Sequence, residues 1–205
     1  MEAVLDLSAE PFDPTRPVVG FDEMPSQLVG EVQPPVPGAP GRPQRIDYEY
    51  ERKGTCNLFL VTPPLAGWRH VDVTERRTKQ DFAHQMKALV DEHFPEAEVI
   101  RVVVDNLNTH TPAALSEAFP PAEAHRLTRK LEFWYTPKHG SWLNVAEIEL
   151  AVMAKQCLDR RIGDPATLRH ELAAWEAKRN DTEVRIHWQF STTDARVKLT
   201  HLYPS

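Results

Sequence analysis

The chain has 205 residues, 41% of them hydrophobic and 26% charged, with a mass of 23.4 kDa and a mean hydropathy of -0.48. That leaves room for one domain with a real core and excludes a disordered chain, which combines sparse apolar residues with an extreme net charge. The net charge of -6 weighs against a basic nucleic-acid footprint, but residues 1–43 hold seven acids against two arginines, so the rest is nearly neutral and charge does not decide the partner.

No apolar run approaches the roughly 18 residues of a membrane span, so no membrane partner is expected. The first ten residues lack the basic start and apolar stretch of a secretory signal. Cys56 and Cys157 are the two cysteines, far apart and outside any C-x-x-C motif, which points to a reducing compartment rather than a disulfide framework.

Nine of the 18 prolines lie in the first 43 residues, five of them between Pro34 and Pro43. Such density suits neither a helix nor an inner strand. Residues 1–16 therefore read as a lead-in and 31–54 as a stiff extended arm, either a surface linker or a docking segment for another subunit. Between them, Pro17 to Glu23 is a short apolar run ending in two acids, as a buried strand would be. Strands are predicted at 57–62 and 68–73, joined by a Pro/Gly turn. A helix follows over 78–94, opened by the capping-box pattern Thr78-x-x-Asp81. Val99 to Val104 is a strongly apolar strand ending in Asp105, with a short helix over 112–118 after it. Leu131 to Thr136 makes a fifth strand, and a helix apolar on most sides runs from about Asn144 to Leu158. Asp164-Pro165 starts another helix, residues 184–190 alternate as a strand would, and a short helix closes at Leu202. The order implies an α/β fold with a mixed five-stranded sheet flanked by helices.

Three acids fall at element ends: Asp22, Asp105, and Glu147 or Glu149. Gathered carboxylates repel one another and lose hydration, a cost that a divalent cation offsets. Mg²⁺ suits oxygen ligands, and two such ions can activate a nucleophile and stabilise a leaving oxygen. Each acid also has a plain structural reading: Asp22 and Asp105 as strand-end turn residues, Glu147 as the reciprocal partner of Asn144 in a helix cap. Glu149 lies about 200° round the helix from Glu147, so the two cannot face one metal, and the pattern does not choose between them. No H-E-x-x-H, G-x-x-x-x-G-K-[ST] or G-x-S-x-G string is present, which leaves zinc-hydrolase, P-loop and α/β-hydrolase chemistry without support.

The strings RPVVGFDEMPSQL, GRPQRIDYEYERKGTCNLFL, VVVDNLNTH and TPKHGSWLNVAEIEL resemble the catalytic domain of DDE-type transposases, and within them the bacterial insertion-sequence-630 group, relatives of the mariner-like elements. The resemblance runs over essentially the whole chain. It implies an RNase H-like fold spanning residues 17–205, with Asp22, Asp105 and Glu147 as catalytic and metal-holding residues; Leu143 to Glu147 stands where the family has L-N-P-I-E, which sets Glu149 aside. It implies two Mg²⁺ ions, replaceable by Mn²⁺, cleavage of DNA at transposon ends, strand transfer by the freed 3′-hydroxyl, and a TA target. Lys138, His139 and Trp142 flank the third acid; Lys138 is expected to contact a phosphate and Trp142 to stack near an unpaired base, against the alternatives of a solvated lysine and a core tryptophan. Asn106 and His110 follow the second Asp, and His110 either approaches the scissile phosphate or braces a turn. The proline-rich arm lies where mariner-like enzymes reach to the partner subunit, implying a homodimer. The implied location is the bacterial cytoplasm, at the nucleoid. Family members carry helix-turn-helix modules ahead of this region, so the chain is expected to lack most end-sequence recognition. The alternatives are a non-catalytic remnant acting by dimerisation and an RNase H-type nuclease.

Overall fold

In the computed structural model, which describes residues 1–45, 47–138 and 140–200, five strands form one mixed sheet. In chain order the elements are α1 (Glu2–Ser8), β1 (Val18–Glu31), β2 (Tyr50–Thr62), β3 (His70–Thr74), α2 (Lys79–Ala88), β4 (Ile100–Val104), α3 (Pro112–Ala118), α4 (Pro121–Lys130), β5 (Leu131–Tyr135), α5 (Val145–Gln156), α6 (Pro165–Asp181) and α7 (Thr192–Lys198). The strand order is β3-β2-β1-β4-β5. β1 pairs antiparallel with β2, and β2 antiparallel with β3; β1 pairs parallel with β4, and β4 parallel with β5. β4 reads IRVVV and is buried throughout, as a parallel strand covered on both faces requires.

Strand alternation divides β1 between two cores. Val19 and Phe21 point to the side of α2, α3 and α4, where they meet Phe82, Met86, Leu115 and Leu127. Met24 and Leu28 point to the other side, where Leu58 and Leu60 of β2 pack on Leu150, Met153, Leu168 and Leu172 of α5 and α6. Gly20 and Asp22 share the Met24 face, and Glu23 shares the Phe21 face. This division determines which acid meets which helix.

Local signals hold where they were strongest. Thr78 and Asp81 form a reciprocal capping box at α2, and Asp164 caps α6 with Pro165 at its first turn. Other expectations are corrected. The lead-in folds as α1 and buries Val4, Leu5 and Leu7 against Val103, Leu143 and Ala195. The arm expected over 31–54 is shorter, because β2 already begins at Tyr50 and pairs with Gly30 and Glu31. The proline-rich segment is thus the tip of a long β1–β2 hairpin, with bridges Val36–Arg45 and Ala39–Arg42. The helix expected over 78–94 changes pitch at Leu89, whose last turn, Leu89–His93, is a π-helix. Residues 121–130, unassigned from the sequence, form α4, where Ala124 and Leu127 are the buried positions. Residues 184–190 join no sheet: Ile186 N–H donates to Pro64 O (2.9 Å), while Trp188 and Phe190 pack against the α1–α7 cluster. Their alternation serves packing on helices rather than strand pairing. Leu202, the expected end of the last helix, lies outside the described residues, and α7 ends at Lys198.

Both cysteines are buried and unpaired. Among the described residues no helix is long and apolar enough to cross a membrane.

Candidate active site

Asp22 does not end its strand; β1 continues past it to Glu31, paired with β2 alone. The parallel partner β4 stops earlier: Gly20 opposite Val103 is the last pair between them. Asp22 and Asp105 each lie two residues beyond that pair, near enough for the charge of Asp105 to act on Asp22. The first acid therefore lies where two parallel neighbours diverge, a cleft that backbone pairing leaves open. One Asp22 oxygen, Oδ1, accepts the Glu23 N–H at 2.8 Å.

The third acid arrives from above. α5 begins directly over β1, held there by Asn144, whose side chain accepts the Ala146 N–H (3.2 Å) and whose Nδ2 donates to Phe21 O (2.7 Å). The reciprocal cap expected between Asn144 and Glu147 does not form, because the Asn144 N–H goes to Ser141 O (2.7 Å). Glu147, in the first helical turn and half-buried, lies near enough for its charge to act on Asp22. The approach is close enough that a Cβ on Gly20 would stand 2.6 Å from Val145 Cγ1 and 3.0 Å from Ala146 N. A glycine here lets the helix N-terminus settle on the strand.

Glu149 points the other way. It is fully buried, receives two hydrogen bonds from Arg179 (3.0 and 2.6 Å), and lies 3.5 Å from Arg69 Nε. Arg69 is itself 1% exposed and donates to the carbonyls of Gly67 and Arg179 (3.2 and 3.0 Å). This buried ion cluster ties α5 to α6 and to the segment before β3, and it leaves Glu149 no access to the cleft.

Electrostatics marks Asp22 as the focus. Burial first, then the charges of Glu23, Asp105 and Glu147, push its carboxyl up to about 7, against the opposing Glu23 N–H. Asp105 behaves oppositely. Partial burial works to raise it, but the hydrogen bond and charge of His110, the Leu107 N–H and Arg77 outweigh burial and hold it below the usual carboxylate range. His110 explains the difference: burial works to lower its ring, yet the hydrogen bond to Asp105 and the charges of Asp105 and Glu23 push it up to about 9.

The flanking residues are distributed as follows. Lys138 is exposed in the loop after β5, and His139 lies outside the described residues. Trp142 is 37% exposed, stacked on Trp188 (centroids 6.3 Å apart) and edge-on to Phe190 (5.5 Å), so it is a rim aromatic rather than a core one. Asn106 is exposed, with Nδ2 donating to Thr136 O (2.7 Å), which clips the loop after β4 to the end of β5. His110, expected to approach a phosphate or brace a turn, is 1% exposed and cannot touch a ligand directly; its ring faces Asp105 and Glu23. Sequence reasoning missed Glu23, Gly20 and Arg77 as parts of this site. Alternation was the available signal for Glu23, since it turns Glu23 to the apolar Phe21 face, where a carboxylate needs a cationic partner.

The donor set fits a hard divalent cation: oxygen ligands, an excess of negative charge, and one carboxyl raised by its neighbours. Among the described residues no three or more His, Cys, Asp or Glu side chains close into a metal-holding cluster. The acids are within electrostatic reach of one another without closing round a common point.

A mixed five-stranded sheet with helices on both faces, and acids at the β1–β4 divergence and the start of the covering helix, is the RNase H-like fold. The chain belongs to the DDE superfamily endonucleases, whose family model matches residues 17–169. Among solved structures it is similar to a Mos1 mariner paired-end complex with Mn (TM-score 0.59, 17% identity, covering 89% of this chain and 54% of that one). It is also similar to the Mos1 strand transfer complex (TM-score 0.56, 15% identity, 80% and 48%) and to a Mos1 transposase paired-end complex with left transposon end (TM-score 0.55, 16% identity, 83% and 52%). The chain spans about half the length of these transposase chains. No curated protein matches it.

Proposed function

We propose that this chain is the catalytic domain of a DDE-type DNA transposase of the insertion-sequence-630 group, cutting DNA at element ends and joining the freed 3′-hydroxyl to target DNA. The observation that supports this most directly is the Asp22 carboxyl, raised to about 7 by burial and by the charges of Glu23, Asp105 and Glu147. Such a group is held in an unfavourable field that a cation relieves. In this reading Asp22, Asp105 and Glu147 hold two Mg²⁺ ions, with Mn²⁺ able to substitute. Those ions supply an activated water or 3′-hydroxyl and charge stabilisation at the leaving oxygen.

The remaining roles belong to the protein. Asn144 and Gly20 bring the start of α5, and Glu147 with it, down onto β1. Asn106 keeps the loop bearing Asp105 joined to β5. Lys138 on the rim contacts a phosphate and Trp142 stacks on an unpaired base. The hairpin tip, with Tyr48 86% exposed and Val36 60% exposed, docks on a second copy of the chain. The DNA complexes among the similar structures agree with DNA as the partner. Supercoiled-plasmid nicking in Mg²⁺ or Mn²⁺ tests the proposal. Nicking by the wild-type chain that disappears with EDTA and with Asp105→Asn supports it; nicking that survives Asp105→Asn unchanged rejects it.

A further inference from the structure

Glu23, His110 and Asp105 form a line from the apolar interior to the cleft. His110 Nδ1 stands 2.6 Å from Asp105 Oδ1, and its Nε2 stands 2.9 Å from Glu23 Oε2. The His110 and Glu23 side chains are almost wholly buried, while that of Asp105 is 27% exposed. The ring is fixed on every side. It lies edge-on to Phe21 (centroids 5.5 Å apart) and against Phe82 (4.8 Å), and its own carbonyl accepts the Tyr135 hydroxyl at 2.8 Å.

Asp105 has no such support from its own backbone, since it lies just past the end of β4, in the loop. A ligating carboxylate there needs an outside partner to set its rotamer, and a buried imidazole whose far nitrogen faces a buried carboxylate at ion-pair distance is a stiff one. The anchor is Glu23, a carboxylate carried into an apolar face, where its burial is costly unless a cationic group faces it. Both contacts made to the Asp105 side chain, from His110 and from the Leu107 N–H (3.3 Å), fall on Oδ1. Among the described residues, Oδ2 takes part in no hydrogen bond with the protein.

We propose that His110 is the positioning residue of the second acid: backed by Glu23, it pins Asp105 by Oδ1 and presents Oδ2 to the divalent cation. This rests on the metal-holding role proposed above for Asp105. Asp22 and Glu147 lie in a strand and a helix, whose backbone fixes where each Cβ stands; Asp105 lies in the loop after β4 and lacks that support.

The test measures Mn²⁺ binding by calorimetry and melting temperature on the full chain, alongside nicking. His110→Ala removes the pin. His110→Asn places an amide nitrogen close to the position of Nδ1 and restores a donor to Asp105, while both variants lose the contact to Glu23. His110→Ala is expected to weaken Mn²⁺ binding about 10–100-fold, the usual cost of losing an outer partner of a metal ligand. His110→Asn is expected to recover most of that binding while melting no higher than His110→Ala. A purely structural histidine would make binding follow melting temperature in both. Mn²⁺ binding by His110→Ala equal to wild type, or lost equally in both variants, overturns the positioning role. If His110→Ala does not fold, the same comparison is made in a Glu23→Gln background, which removes the buried charge along with its partner. A wild-type chain that binds no Mn²⁺, or an Asp105→Asn chain that binds it unchanged, overturns the metal reading itself and this inference with it. An intact metal site indifferent to His110 overturns this inference alone.

Discussion

The Asn144 side chain donates from Nδ2 to the carbonyl of Phe21, 2.7 Å away, one residue before Asp22. Two elements far apart in the sequence are fastened one residue from Asp22 and three residues from Glu147. Asn144 also caps α5 through the Ala146 N–H, so one side chain both starts the helix and seats it. Asn144→Ala leaves the buried Phe21 carbonyl unpaired, at a cost of about 1–3 kcal/mol, and removes a cap worth about 0.5–2 kcal/mol. Urea unfolding is expected to show a loss within that combined range. Plasmid nicking should fall further than stability alone predicts, because Glu147 loses its seating. Nicking that stays at wild-type level in the folded variant would contradict the seating role.

Gly20 acts at the same junction by absence of a side chain. Its Cβ would meet Val145 Cγ1 at 2.6 Å and the Ala146 nitrogen at 3.0 Å. The first neighbour can yield; the second is backbone and cannot without lifting α5. Gly20→Ala is therefore expected to destabilise by about 1–3 kcal/mol, the range for overpacking a close contact. Adding Val145→Ala should relieve only part of this. Full recovery of both stability and nicking in the double variant would show that the helix does not need to lie this close.

How much of this was legible in the sequence follows the range of the interactions. Elements with local causes read correctly: the Thr78–Asp81 box, the Asp164-Pro165 start, and the strongly apolar β4 that stops just before Asp105. Asp22 was expected at the end of a short strand, and it lies instead within the long strand β1. The prolines from Pro34 to Pro43 argued for an arm over 31–54, and Pro25 lies ahead of them within the strand. Past Gly20, however, β1 pairs with β2 alone, and a strand with one free edge tolerates proline there. The choice between Glu147 and Glu149 stayed open to periodicity, since both lie on a helix apolar nearly all round. The family resemblance favoured Glu147, and the physical reason Glu149 turns away lies in Arg69 and Arg179, brought in from the turn before β3 and from α6. In sequence those arginines are indistinguishable from solvated surface charges. His110 and Glu23 were unreadable as a pair for the same reason: the contact is made by the sheet, not by spacing.

The two glutamates of α5 should separate cleanly by mutation. Glu149→Gln withdraws the charge that faces Arg69 and Arg179, leaving buried cations uncompensated. Removing one partner of such a pair typically costs about 3–5 kcal/mol. Glu147→Gln breaks no hydrogen bond to the protein among the described residues and should fold normally while losing nicking. Chemical denaturation and plasmid nicking on both variants give the comparison. A Glu149→Gln chain that is stable but inactive, beside an active Glu147→Gln chain, would reverse the assignment of the third acid.

Asp22 predicts a pH-dependent conflict between folding and the site. Its carboxyl sits near about 7 in the folded chain, through burial and then the charges of Glu23, Asp105 and Glu147, against roughly 3.9 for an unfolded aspartate. The folded value is the higher, so the folded state holds the proton more tightly. The stability this group contributes is complete below the unfolded value and is lost as pH rises through the folded one. Asp22→Asn removes the charge and with it that loss. In EDTA the variant should melt above wild type at about pH 8, with the gap narrowing towards about pH 5 as wild-type Asp22 takes up its proton. Excess Mg²⁺ should raise the wild-type melting temperature at the higher pH by binding the folded state, and should leave Asp22→Asn nearly unmoved. Differential scanning fluorimetry across the two pH values, with and without the metal, reads all four conditions. Identical melting of the two proteins in EDTA at the higher pH would mean that Asp22 is not held in the repulsive field of its neighbours, and the cleft would then lack the electrostatic reason to recruit a cation.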